Sequence, residues 1–244
     1  MTRDFVSCIL PTKDRPGFVA QALRCWERQT FRDRELIVVD DGVPGPVADL
    51  CAGRDAVTYL HVPPTLLGTK LNIGIERARG DVIQKWDDDD YYAPDFLSCA
   101  LRALRGCPVA RGFVLWEEYL VFLSWRGTVH YTGLGHKAGP SLCFDKAIWE
   151  ESPFREIPHA VDSFFIGDHP DYVPVRGAEM LMLVRHKRNT WKEYWGTDVD
   201  GYIEEHLVQY DRPLSVFMAP EDVVFYQSLT KSVQDWLVSG DLSS

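Results

Sequence analysis

Four consecutive aspartates, Asp87, Asp88, Asp89 and Asp90, follow the apolar run at residues 82–86. Carboxylates this close raise one another's pKa, so the cluster asks for a positive partner. Mg2+ or Mn2+ suits it, because these ions bind through one or two carboxylates plus the phosphates of a substrate. The bland alternative is a solvated acidic turn, or a helix start in which Asp90 and Asp95 flank Pro94 and favour the dipole. A second acidic pair, Asp40 and Asp41, closes another apolar run at residues 35–39 and leads into Gly42. A calcium loop of the EF-hand type does not fit, since the alternating ligands, central glycine and distal glutamate are missing after Asp87. Residues 11–17 lack G-x-G-x-x-G spacing and no G-x-x-x-x-G-K-[ST] loop occurs, which excludes both glycine-rich phosphate cradles.

The elements that must position these acids alternate. Residues 5–10 read as a buried strand ended by Pro11, followed by a helix capped by Asp14, with Pro16 in its first turn and Phe18, Val19, Ala22, Leu23 and Trp26 at helical spacing. Strands are expected at 35–39, 57–62 and 82–86. One helix carries Leu67, Leu71, Ile75 and Ala78, and another runs from Pro94 to a stop at Gly106. This order implies right-handed crossovers and an α/β fold with a doubly wound, mainly parallel sheet. Ligands of such sheets gather at strand C-termini, where both acidic clusters fall. Beyond about residue 107 the alternation weakens. Runs at 113–125, 128–131 and 180–184 read as strands between Gly, Pro and aromatic residues, a sheet extension plus loops.

At 244 residues and 45% hydrophobic composition the chain can bury one large α/β core, so a single domain is expected. The formal charge of -10 argues against a nonspecific nucleic-acid surface, which needs a basic stripe. Six cysteines without a C-x-x-C pair read as reduced thiols. No basic-then-apolar leader and no apolar stretch of spanning length occurs, and the expected location is the cytoplasm.

Several blocks together resemble the inverting glycosyltransferases of family 2, which have the GT-A fold. They are Val6-Ser7-Cys8-Ile9-Leu10-Pro11-Thr12, Gln29-Thr30-Phe31, Glu35-Leu36-Ile37-Val38-Val39-Asp40-Asp41-Gly42, Gly68-Thr69-Lys70-Leu71-Asn72-Ile73-Gly74, and Trp86-Asp87-Asp88-Asp89-Asp90-Tyr91-Tyr92. The blocks occur in the family's order and cover roughly residues 5–105. The resemblance implies a nucleotide-sugar donor, with Pro11, Thr12, Asp41, Lys70, Asp87 and Asp88 around it. Asp41 would contact the nucleotide base, while Asp40 could equally serve the turn. The family's D-x-D motif falls on Asp87-Asp88-Asp89, which implies Asp89 as a ligand to Mn2+ or Mg2+ and Asp87 or Asp88 at the ribose or the metal. His186, in Leu183-Val184-Arg185-His186, resembles the histidine that completes the metal or diphosphate shell; alone it would more often be a surface residue. Asp162, in Ala160-Val161-Asp162-Ser163, resembles the second acid of the family's base motif, with Val161 replacing the first. Glu221 and Asp222 form a rival pair, out of order.

The resemblance divides the domain into a nucleotide-sugar-binding half at 1–106, an acceptor and catalytic half at 107–196, and a lid or tail at 197–244. Trp and Tyr faces stack on sugars and bases. Trp116 and Trp191, with His136 in the loop 133–140, are candidate acceptor contacts, the remaining aromatics being core. The implied reaction is a metal-dependent, inverting transfer to an acceptor hydroxyl of a glycan, lipid, peptide or small molecule. A noncatalytic nucleotide-sugar or metal-binding module stays open, because Val161 replaces an acid. A sugar nucleotidyltransferase would need a glycine-rich basic loop after the first strand, and that loop is missing.

Overall fold

The computed structural model describes residues 4–107, 112–157, 160–169, 171–186, 189, 193–194 and 197–239. The chain runs β1 (Val6–Thr12), α1 (Pro16–Glu27), β2 (Arg34–Asp40), α2 (Pro46–Cys51), β3 (Val57–His61), α3 (Leu67–Arg77), β4 (Val82–Lys85), β5 (Tyr91–Tyr92) and α4 (Phe96–Arg105). It continues through β6 (Phe113–Trp116), β7 (Leu120–Leu123), β8 (Thr128–Tyr131), a 3-10 turn at Gly139–Ser141, β9 (Cys143–Asp145), α5 (Lys146–Glu151) and α6 (Val161–Asp168). Then follow β10 (Tyr172–Val175), β11 (Leu181–Arg185), β12 (Glu193–Tyr194), β13 (Thr197–Asp198), α7 (Val199–His206), β14 (Val208–Gln209) and α8 (Pro220–Ser239).

A seven-stranded sheet has the order β10-β6-β9-β4-β1-β2-β3. The pairs β1 with β2, β1 with β4, β2 with β3 and β10 with β6 are parallel, while β9 lies antiparallel between β4 and β6. The fold is therefore the mainly parallel α/β sheet that the alternation implies. A second sheet, β14-β8-β7-β11-β5, extends from the aspartate cluster, and the expected run 113–125 breaks into β6 and β7.

Every residue of β1 and β2 is buried, because helices cover both faces of the sheet. Alternation sends Cys8, Leu10, Leu36, Val38 and Val82 to a core with α1 and α4, and Ile9, Ile37, Val39 and Ile83 to a second core with α3 and α6. Strand β1 continues one residue past Pro11, to Thr12, contrary to the expected stop. Its pairing with β4 ends at Ile9, so the missing proline N–H interrupts no bond on that side.

Asp14 does not cap α1. It adopts φ +53°, its Oδ1 accepts from Val43 N at 2.6 Å, and Arg15 occupies the cap position without a side-chain bond. The segment read as a lid or tail packs against the body: Tyr226 and Asp222 of α8 are buried, and Asp222 is gripped by Arg28 and Gln21. The six cysteines are free thiols. Among the described residues no helix is long and apolar enough to cross a membrane.

Candidate active site

The C-terminal ends of β1, β2 and β4 converge, and each delivers a polar group. At the end of β1, Thr12 Oγ1 donates to Asp88 Oδ2 at 2.6 Å. Beyond β2, Asp41 accepts from Lys70 Nζ at 2.7 Å and from Thr65 N at 3.0 Å. Lys70 Nζ also reaches the Thr12 carbonyl at 3.0 Å. The first turns of α3 thus bring Lys70 to the strand ends, and Pro11, Thr12, Asp41 and Lys70 share one wall. Burial would raise the Asp41 carboxyl, but Lys70 and the Thr65 amide hold it below its ordinary value. Asp40 serves the turn instead: buried, it accepts from Gly42 N at 2.9 Å and from Tyr59 Oη at 3.0 Å.

The four aspartates point in different directions. Asp87 accepts from Lys85 Nζ at 2.7 Å through both oxygens, and its amide donates to Tyr92 Oη at 2.9 Å. Asp88 meets Thr12 and Arg15, the latter at 3.1 Å. Asp89 Oδ2 lies 2.9 Å from His186 Nε2, 3.3 Å from Arg15 and 3.3 Å from Asn189 Nδ2. Asp90 turns inward, accepting from Val184 N at 2.9 Å. Burial, reinforced by neighbouring acids, pushes Asp87 and Asp88 up to about 6 and Asp90 well above the carboxylate range. Asp89 goes the other way despite its burial, because the His186 hydrogen bond and the Arg15 charge keep its carboxylate ionised.

An aromatic column supports this loop from below. Trp86 stacks on Tyr92 at 3.9 Å, Tyr92 meets Phe96 edge-on at 4.9 Å, and Phe96 stacks on Trp116 at 4.3 Å. Trp116 is therefore a fully buried core residue, which corrects its reading as an acceptor contact. Trp191 lies outside the described residues. His136 is half-buried, its amide donating to the Glu117 carbonyl at 3.2 Å, in the loop that leads into the 3-10 turn at Gly139–Ser141.

Asp162 enters from the first turn of α6. Its Oδ2 lies 3.1 Å from Lys85 Nζ, so one ammonium bridges it to Asp87. Its Oδ1 is buried and has no hydrogen-bond partner among the described residues. A Cβ on Gly139 would stand 2.5 Å from Asp162 Oδ2, so glycine at 139 is what admits the carboxylate. The rival, Asp222, sits in a small cavity lined by Cys25, Arg28, Tyr91 and Phe217, where two guanidinium contacts and Gln21 saturate it.

Two functional candidates were missed by sequence reasoning, Arg15 and Lys85. For Lys85 a signal existed: strand periodicity puts Lys85 and Asp87 on one face, so a lysine two residues before the cluster is its natural counter-charge. Nothing comparable marks Arg15, whose contacts lie more than seventy positions away.

The donor set of Asp89 and His186, one carboxylate oxygen and one imidazole nitrogen, suits Mn2+ or Mg2+. Among the described residues no group of three or more His, Cys, Asp or Glu side chains is arranged to hold a metal ion. An ion here would therefore draw further ligands from phosphates and water.

An open α/β sheet with acidic strand ends defines a protein that binds its ligand at the carboxyl edge of the sheet. Residues 7–127 match the family model described as Glycosyl transferase family 2. The uncharacterized glycosyltransferase EpsJ of Bacillus subtilis is 38% identical over 90 residues, 35% of this chain and 26% of that protein. Succinoglycan biosynthesis protein ExoW of Rhizobium meliloti is 32% identical over 96 residues, 36% of this chain and 30% of that protein. The chain thus spans under a third of the length of either relative. Among solved structures, S. aureus TarS 1-349 in complex with UDP-GlcNAc superposes with a TM-score of 0.62 at 15% identity, covering 78% of this chain and 61% of that one. The mannosyltransferase PcManGT from Pyrobaculum calidifontis, in complex with GDP-Man and Mn2+, gives 0.58 at 18% identity, covering 78% and 59%. The chain belongs to glycosyltransferase family 2 and has the GT-A type of fold.

Proposed function

We propose that the protein transfers a sugar from a nucleotide diphosphate donor to an acceptor hydroxyl, with inversion and with a divalent cation bound. One observation carries this reading: Asp41 with Lys70, Asp89 with His186, and Asp162 with Asp87 converge at the strand ends from segments far apart in sequence. Asp41 and Lys70 would position the nucleotide, with Pro11, Thr12, Asp87, Asp88 and Arg15 around it. Asp89 and His186 would hold Mn2+ or Mg2+, which when bound supplies charge neutralisation for a leaving diphosphate. Asp162 removes the acceptor proton as the hydroxyl oxygen attacks the anomeric carbon from the face opposite the diphosphate. The loop containing His136 would face the acceptor. TarS and PcManGT carry different nucleotides in their complexes, so UDP and GDP donors are both within the reading.

The test is release of nucleoside diphosphate from a panel of UDP-, GDP- and TDP-sugars, with Mn2+ or with a chelator. Turnover of one donor, abolished by the chelator, is expected, and the anomeric configuration of the product should be opposite to that of the donor. Metal-dependent nucleotide binding without turnover, to acceptors or to water, would turn the reading to a noncatalytic binding module. Equal nucleotide affinity in Mn2+ and in chelator would remove the metal from it.

A further inference from the structure

Lys85 is the one lysine of β4, and its side chain is 2% exposed. Burying an ammonium costs several kcal/mol unless it is paired, and the pairing here is specific. Nζ reaches both oxygens of Asp87 at 2.7 Å and Asp162 Oδ2 at 3.1 Å. The strand beneath it is fixed, with the Lys85 amide donating to the Leu142 carbonyl at 2.9 Å and the Trp86 amide to the Ile9 carbonyl at 2.9 Å. Asp162 belongs to α6, so this contact ties a separate element to the sheet. Of the two Asp162 oxygens, one is tied to Lys85 and the other, Oδ1, is without a partner among the described residues.

We propose that Lys85 is a positioning residue for the base: it clamps Asp162 Oδ2 against the Asp87 side of the donor site and so fixes the direction from which the carboxylate takes the acceptor proton. This rests on the assignment of Asp162 as base. In the step itself the acceptor O–H proton passes to the Asp162 carboxylate and the acceptor oxygen bonds to the anomeric carbon. The bond from that carbon to the diphosphate breaks, its electron pair leaving with the diphosphate. Lys85 gives up no proton and acts only by holding Asp162. Because the same ammonium contacts Asp87, it also sets the distance between the donor side and the base, which transfer reactions require within a fraction of an ångström.

The test uses the full chain and the nucleotide sugar of the panel that it turns over. A wild type that turns over none defeats the proposed function and takes this inference with it. Wild-type turnover by Asp162→Asn defeats the base assignment, whatever the Lys85 variants do. With both standing, Lys85→Ala is expected to bind the matching nucleoside diphosphate with Mn2+ within about threefold of wild type while kcat falls about a hundredfold. Ethylammonium should restore part of that loss and propanol, similar in size but neutral, should not. In an Asp162→Asn background the lysine substitution should add no more than about a twofold loss, because the two residues act as one unit. Lys85→Gln, which keeps hydrogen-bonding capacity without charge, serves if the alanine variant does not fold cooperatively. A wild-type kcat in either variant, equal restoration by propanol, or a full additional loss beside Asp162→Asn would overturn the proposal.

Discussion

The two carboxylates that compete for the role of base differ in what holds them. Asp222 is 1% exposed and saturated by Arg28 and Gln21, whereas Asp162 keeps one oxygen unpartnered among the described residues. Asp162→Asn is therefore expected to preserve nucleotide affinity and lower kcat by about a hundredfold to ten-thousandfold. Asp222→Asn should retain turnover but lose about 1–3 kcal/mol of stability, since it weakens charge-assisted hydrogen bonds in a buried setting. Urea melts alongside turnover assays separate the two, and an inactive but fully stable Asp222→Asn would reverse the assignment. Gly139→Ala offers an independent check, because its methyl would fall within 2.5 Å of Asp162 Oδ2 and 2.8 Å of its Cβ. Turnover should drop with little change in nucleotide affinity; unchanged kcat would mean that Asp162 has room to move without consequence. The acidic residues themselves were legible in the sequence, because strand-end carboxylates stand out against apolar runs. Which of them faces outward was not, since four identical side chains carry no register. The Val184 amide marks Asp90 as the inward one, while the His186 ring, Arg15 and Asn189 mark Asp89.

At the scale of elements, the placement of α3 depends on a buried acid far from the site. Glu35 of β2 accepts from Ser7 Oγ, from Arg79 N and from Arg79 Nε, each at 2.7 Å, and Ser7 Oγ accepts from Gly80 N at 2.9 Å. This network fixes the turn between α3 and β4, and so helps to hold both Lys70 and Lys85. Burial raises the Glu35 carboxyl, but these bonds outweigh it and hold the group below its ordinary value. A depressed folded-state pKa contributes stability above the unfolded value and loses it as the pH falls through the folded one. Glu35→Gln is accordingly expected to cost about 1–3 kcal/mol at pH 7. The gap from wild type should shrink as the pH falls below the ordinary glutamate range of about 4.3. Denaturant titrations at pH 7 and pH 3.5 would show it, and a gap that stays constant would exclude the ionised carboxylate as its source. Helices α1, α3 and α4 and the parallel strands β1 to β4 were readable from periodicity. Strands β5 and β9, two and three residues long, were not, because so short a run carries no period.

The whole molecule gathers its proposed site from well beyond the family-matched span, which ends at residue 127, since the candidates Asp162 and His186 lie past it. Helix α8 reaches furthest: Tyr226 Oη donates to the Asp90 carbonyl at 3.1 Å, and Phe225 packs edge-on against Phe18, whose ring meets His186 at 4.8 Å. A fragment ending at residue 219 should melt at a lower temperature and lose metal-dependent nucleotide affinity; unchanged affinity would show that α8 is dispensable to His186. Such contacts between distant segments leave no mark in composition or periodicity, which is why the same stretch read as a lid or tail.

Strand β9 has a consequence for how this protein can change. It joins β4, beside the aspartates, to β6 through hydrogen bonds on both of its edges. A chimera that exchanges everything after residue 107 carries β9 together with β6 and must recreate the edge that β9 shares with β4 in register, or one continuous sheet becomes two. Wholesale exchange of the second half is thus costly. Variation in the loop 133–140, which lies between strands and interrupts no ladder, leaves the seam intact. Sequence in descendants of this chain should accordingly drift in that loop, while the residues that flank β9 stay fixed by their neighbours.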